Sequence, residues 1–254
     1  MKTIARLYQA LMYLFLYLPL AAMAVFSFND SKFSLSWKGF TWKWYVKLWY
    51  TPTLTEAAWN SLLLAASAAT LSCLIGTLAA FLIHQYRFPG RRAMFAMFFV
   101  MMMSPDIVIA ISLLLLFLGL QIKLGFFTLL LAHVTLCVPF VTTTVYSRFH
   151  GLQPEIIEAA QDLGASNSQV FSRVILPIIL PAVFAGWLLS FTLSLDDVII
   201  SFFTTGPTFE ILPLRIYSMV RLGIKPDVNA LCVIMLIITV VAILISRQLL
   251  KEKQ

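Results

Sequence analysis

"RFHGLQPEIIEAAQDLGASNSQVFSRVIL", residues 148–176, is a polar interruption between two long apolar runs, and its reading decides the fold. Pro154 suits the first turn of a short helix. Glu155, Glu158 and Asp162 give that helix a polar face, while Ile156, Ile157 and Leu163 are apolar. Gly164 permits a chain reversal. Ser166 is an N-cap type residue for a second short helix, 167–175, with Val170, Val174 and Ile175 apolar. Pro177 and Pro181 of "LPIILP" then set the entry into the next apolar run. The pattern predicts two short helices at a sharp angle, carrying an exposed apolar and acidic knob. An ordinary solvated connector would have the same composition.

The flanks fix the setting. The chain has 254 residues, 61% hydrophobic and 11% charged, with a mean hydropathy of +0.92; a soluble domain carries roughly 25% charged residues. The expectation is an all-α membrane protein with one transmembrane domain, 1–254. A spanning helix needs about 20 apolar residues, and six candidates fit: 7–28, 57–83, 93–119, 126–147, 177–203 and 228–247. The apolar runs are long and do not alternate, which argues against a β-barrel. Lys2, Arg6 and the "AMA" at 22–24 also fit a cleaved signal peptide, but the apolar run continues past that cut, which favours a retained helix. The second span, "SLLLAASAATLSCLIGTLAAFL", is rich in small residues and suits burial among other helices. Cys73, Cys137 and Cys232 sit in apolar runs without metal-ligand spacing and read as core residues; no metal site is expected.

An even number of spans puts both termini on one side. Cytoplasmic termini place ten of the 18 Lys and Arg inside and eight outside, and the short loop "YRFPGRR", 86–92, is the best single indicator of that orientation. The net charge of +7 fits flanks that meet anionic lipid or acidic partners, and nothing points to nucleic acid. The outer segment 29–56 contains "FTWKWYVKLWY", an interfacial amphipathic pattern. Its rings form an anchoring belt, and Trp44 is a candidate for the outer mouth of a path, where a cation stacks on a ring. Lys32, Lys38, Lys43 and Lys47 would repel a free polycation and suit docking of an acidic protein.

"LSFTLSLDDVIISFF", 189–203, holds Asp196 and Asp197 in an apolar run. An ionised side chain at the bilayer centre costs at least about 2.5–3.5 kcal/mol and commonly faces a cavity or a partner. Helical phasing puts Ser190, Ser194, Asp197 and Ser201 on one stripe with Gly186 and Trp187; Asp196 lies one step round, near Thr192. Asp197 is therefore expected to face a path most directly. Asp106 follows Pro105, which cannot donate to the Met101 carbonyl, so a kink with a free carbonyl beside a carboxylate is expected there. The competing reading pairs these acids with a basic residue of another helix. His133, alone in an apolar span, reads as hydrogen-bonded packing.

The segment "EAAQDLGASNSQVFSRVILP" resembles the EAA loop of the permease subunits of ATP-binding cassette (ABC) importers. The matching residues are Glu158, Ala159, Ala160, Gly164 and Leu176-Pro177. "MMSPDIVIAISLLLLF", "CVPFVTTTVYSR", "LSFTLSLDDVIISFFTTGP" and "EILPLRIYSMVRLG" are similar to the spermidine/putrescine branch of that family. The resemblance implies a type I permease architecture of six helices with a cytoplasmic coupling loop. It implies that Glu158, Ala159, Ala160, Asp162, Leu163 and Gly164 dock an ATPase dimer that holds ATP and Mg, with no cofactor bound by this chain. A homologous second permease, an outer solute-binding protein, a polyamine substrate and alternating access in an inner membrane complete the expectation. The runners-up are a permease for another cationic or small organic solute and an ion-coupled carrier. An intramembrane enzyme lacks a nucleophile–base pair.

Overall fold

The computed structural model describes residues 2–31, 36–149, 151, 154–221 and 226–251. Lys32, Lys225 and Lys253 lie outside these, as do parts of the segments 29–56 and 148–176. Among the described residues the chain is helical, apart from one isolated antiparallel bridge, Asn29 to Phe40. The chain divides into two compact units, residues 1–56 with 215–254 and residues 57–214.

In the first unit, α1 (Lys2–Phe26), α2 (Lys43–Trp49) and α12 (Pro226–Lys251) pack together. Buried Asn29 organises the turn between α1 and α2: its Nδ2 donates to the Ser36 carbonyl at 2.7 Å and its Oδ1 accepts the Lys38 amide at 2.8 Å. The Trp44 indole N–H donates to the Asn29 carbonyl at 2.7 Å. That bond draws Trp44 inward to 8% exposure, while Trp49 stays 83% exposed. Trp44 is thus part of the unit's interior, while Trp49 lies on its surface. Lys43 pairs with Asp30, and Lys47 reaches the buried Asp227 at 3.1 Å. Two of the four outer lysines are thus neutralised inside the unit.

The second unit is built on α3 (Pro52–Gln85), α6 (Phe126–Phe149) and α9 (Leu176–Asp196). Glycine allows the close approach. Val141 of α6 nests between Gly76 and Gly186: a Cβ on Gly76 would lie 2.7 Å from Val141 Cβ, and one on Gly186 would lie 3.3 Å from its Cγ1. This is the small-residue packing expected where lipid provides no hydrophobic drive between helices. Around it Cys73, Ala80, Val145, Phe149, Ile175 and Ile179 form a buried core.

Two expected spans are interrupted. The third divides into α4 (Arg91–Met103) and α5 (Asp106–Gly119), bent by 109°. The fifth divides at Asp197–Val198, with α10 (Ile199–Thr204) beyond. By length and composition, Arg6–Phe26, Pro52–Gln85, Phe126–Phe149 and Asn167–Asp196 can each cross a membrane, and the bent pair makes a fifth; the apolar stretch Pro226–Val241 of α12 is shorter.

In the connector, α7 (Pro154–Asp162) ends at Gly164, whose φ is +83°. Ser166 and Gln169 form a reciprocal capping box on α8 (Asn167–Gln169). The second short helix is not a separate 167–175 element. It widens into a π-helical segment, Val170–Ile175, that runs straight into α9. Pro177 lacks the amide that would bond the Arg173 carbonyl, and the chain meets that loss with a shifted bonding register.

Candidate functional site

The site lies where the two interruptions meet, since α10 packs on both α5 and α6. Ala110, Ala132 and Ile200 are fully buried at that junction, two of them small enough to bring the helices close. The C-terminal end of α10 is anchored by Thr128, whose hydroxyl donates to the Thr204 carbonyl at 2.9 Å.

Asp197 ends α9 in an extended conformation, ψ +127°. Its carboxylate accepts the Ser201 amide at 2.7 Å and the Ile200 amide at 3.2 Å. These first-turn N–H groups of α10 would otherwise be orphaned in an apolar interior. His133 of α6 is fully buried beside it. One ring nitrogen, Nδ1, meets Ser194 Oγ at 2.7 Å and the other, Nε2, meets Ser201 Oγ at 2.9 Å. A hydroxyl both gives and accepts, so either neutral tautomer is satisfied. Asp197 Oδ2 lies 3.6 Å from Nε2. His133, read from the sequence as hydrogen-bonded packing, is the hub of this network.

Ser190, Ser194, Asp197 and Ser201, set on one stripe by phasing, are all buried within the unit, and Ser194 and Ser201 meet His133 of α6. Phasing gave the common face of these residues and could not say what the face meets. Asp197 is 9% exposed, and its neighbour Asp196 is exposed. Trp187 is half-buried; its indole donates to Thr70 Oγ1 at 3.1 Å and stacks on Phe191 with centroids 5.2 Å apart.

Asp106 is exposed in the first turn of α5. The free carbonyl expected beside it is absent: the Met101 carbonyl accepts the Ser104 amide at 3.2 Å, and the Ser104 hydroxyl takes the Val100 carbonyl at 2.7 Å. Ser104 repairs what Pro105 breaks. Asp106 and Asp197 both act electrostatically on Asp196, so three carboxylates share one region of the unit. Two of them stand at helix N-terminal ends, where the backbone dipole favours negative charge.

Trp44 belongs to the first unit. Both Lys43 Nζ, at 4.8 Å, and Lys47 Nζ, at 5.3 Å, lie over its ring. The ring thus already carries two of this chain's own ammonium groups.

On the connector, Glu158, Ala159, Asp162, Leu163 and Gly164 are exposed and Ala160 is half-buried. Ala160 and Ile157 pack on the buried core, while Leu163 stands 89% exposed at the tip. One face of α7 is anchored and the other is presented.

Sequence reasoning missed the break at Asp197 and the role of His133 as hub. An aspartate followed by a β-branched run was the available signal, since Asp is an N-cap type residue.

Interrupted helices with carboxylates at their ends, joined to an anchored but outward-facing elbow, describe a membrane transport subunit. The profile of the family "Binding-protein-dependent transport system inner membrane component" matches residues 72–252, and the chain belongs to that family. It is 51% identical over 241 residues to the spermidine/putrescine transport system permease protein PotC of Escherichia coli, covering 95% of this chain and 91% of that one. It is 40% identical over 229 residues to the putrescine transport system permease protein PotI of the same organism, covering 87% and 82%. Its fold is similar to a chain of a bacterial ABC transporter that imports the acidic polysaccharide alginate, with a TM-score of 0.76, 16% identity and coverage of 98% and 95%. The MetNI methionine ABC transporter, facing inward, gives a TM-score of 0.67 at 16% identity over 79% of this chain and 96% of that one.

Proposed function

We propose that this chain is a permease subunit of an ATP-driven importer of polyamines, spermidine and putrescine, working by alternating access. The observation that carries the reading is the pair of exposed carboxylates, Asp106 and Asp196, at two adjoining helix breaks. An alkyl polyammonium offers charge to such carboxylates at intervals along a flexible stem. Sites spread along a path hold it more weakly than one closed cage, which permits release. The relatives' names, at 51% and 40% identity, support the same substrate class.

In this reading the acids divide their work. Asp196 and Asp106 meet the cation. Asp197 is the positioning residue: it holds the start of α10 and so fixes where Asp196 points. The exposed face of α7, with Glu158, Ala159, Asp162, Leu163 and Gly164, docks a separate ATPase dimer on which ATP and Mg sit. Six spans, α1, α3, α4 with α5, α6, α9 with α10, and α12, leave both termini in the cytoplasm. A homologous second permease completes the path, and an outer solute-binding protein delivers the substrate. Nucleotide binding draws the ATPase halves together, the elbows follow, and the breaks flanking Asp106 and Asp197 supply the hinges.

Uptake of labelled spermidine into vesicles holding the whole assembly tests the proposal. It predicts ATP-dependent accumulation, competition by putrescine and no competition by neutral polyols of equal length. ATP-dependent accumulation of a neutral solute with no effect of polyamines would overturn it.

A further inference from the structure

We propose that the groove between α4 and α6 is a binding site for an anionic phospholipid, with Arg91 and Arg92 on the phosphate and Phe95 and Phe99 along an acyl chain. The groove encloses 640 Å³ and is lined by Ile83, Arg91, Arg92, Phe95, Phe99 and Tyr146, with Ala96 between the rings. Its two ends differ in chemistry. Arg91 donates to the Tyr146 hydroxyl at 3.2 Å, which orients the guanidinium across the gap between the helices. Neither Arg91 nor Arg92 is in an ion pair with a carboxylate among the described residues. Two guanidiniums close together need a counter-charge, and their planar forks suit phosphate oxygens.

The remainder of the groove is apolar. Phe95 packs against Tyr146 with centroids 4.8 Å apart, and Phe99 meets Phe95 edge-on at 5.2 Å. At 1.5 Å per residue, Phe95 and Phe99 lie about 6 and 12 Å beyond Arg91 along α4. The wall thus runs from paired charge to rings over the first turns of a membrane helix, as headgroup phosphate passes into hydrocarbon. No residue of α4 is buried in the chain, so this face is not covered by the chain's own packing. The same arginines lie in the short loop region that the positive-inside rule assigns to the cytoplasm, where the leaflet is anionic. A free phosphate would be held by the arginines alone; the aromatic wall commits the site to a lipid. The inference rests on the chain spanning a membrane and is independent of the solute it carries.

The test uses the whole assembly in nanodiscs of phosphatidylethanolamine with a minor fraction of brominated phosphatidylglycerol or brominated phosphatidylcholine. A Phe99→Trp reporter reads lipid contact as the quenching it adds to that of the parent assembly, whose chain already holds six tryptophans. Preference for the brominated phosphatidylglycerol is expected, falling about fivefold for each arginine replaced by glutamine. Arg87→Gln, in the neighbouring loop and outside the groove, should leave it unchanged. Should the reporter variant misassemble, native mass spectrometry of the unmodified assembly and of Arg91→Gln/Arg92→Gln counts retained phosphatidylglycerol directly. Equal quenching by the two lipids, or equal retention in the arginine variant, overturns the proposal. Retention of phosphatidylglycerol unchanged by Phe95→Ala/Phe99→Ala overturns the lipid assignment, because an anion held by the arginines alone does not need the aromatic wall.

Discussion

Replacing Asp197 separates a positioning role from a cation-binding one. Its carboxylate accepts two amides at 2.7 and 3.2 Å and is 6% exposed at the side chain. Asp197→Ala leaves both N–H groups without an acceptor in an interior that water does not reach. A surface cap is worth about 0.5–2 kcal/mol, and each buried unmet donor costs about 1–3 kcal/mol. Burial decides between these, and with two donors unmet α10 should lose about 2–6 kcal/mol. Asp197→Asn keeps one carbonyl oxygen for the Ser201 amide and should cost about 1 kcal/mol. Hydrogen exchange read by mass spectrometry on a peptide covering 195–205 is the assay. The Ile200 and Ser201 amides should exchange about 30-fold or more faster in the alanine variant and about fivefold faster in the asparagine variant, since 1.4 kcal/mol is tenfold. Equal exchange in both variants, or no change in the alanine variant, would refute the argument that the carboxylate holds the helix start.

Other outcomes follow from the same geometry. Gly76→Ala drives a Cβ to 2.7 Å from Val141 Cβ and should cost about 1–3 kcal/mol in thermal unfolding of the purified assembly; adding Val141→Ala removes the Cγ1 contact but keeps the Cβ, so it should recover only part of the loss. Gly206→Ala drives a Cβ into the Leu124 carbonyl oxygen. Backbone cannot yield as a side chain does, so a larger loss of thermal stability than for Gly76→Ala is expected, with no rescue from a side-chain truncation. Glu158→Lys and Leu163→Asp alter the presented face of the elbow and leave its packing on the core intact. Both should reduce co-purification of the ATPase at unchanged membrane insertion, and undiminished co-purification would remove this face from the docking surface.

Much of this architecture was legible in the sequence, and the rest has definite physical reasons for being hidden. The helices 52–85 and 126–149 follow from apolar length, and the elbow follows from Pro154, Gly164 and Ser166 as an N-cap. Pro105 announced a break, but the 109° turn depends on Ser104 recapturing the Val100 and Met101 carbonyls, a detail of local competition for acceptors. The π-helical segment at 170–175 answers Pro177, which lies downstream of it. Phasing set four polar residues on one face, yet their partner His133 is more than 60 positions away, where no period reaches. The aromatic pattern at 40–50 showed the interface character and concealed that Trp44 turns inward to Asn29.

The division of labour among the three carboxylates is the centre of the account, and spermidine uptake by assembled transporters carrying Asp196→Asn, Asp106→Asn or Asp197→Asn tests it most directly. With co-purification of the ATPase confirming assembly in each, uptake should fall at least about tenfold, the equivalent of 1.4 kcal/mol, in the Asp196 and Asp106 variants. It should stay within about threefold of the parent in Asp197→Asn. Full uptake without the Asp196 charge, or loss confined to Asp197→Asn, would contradict the account.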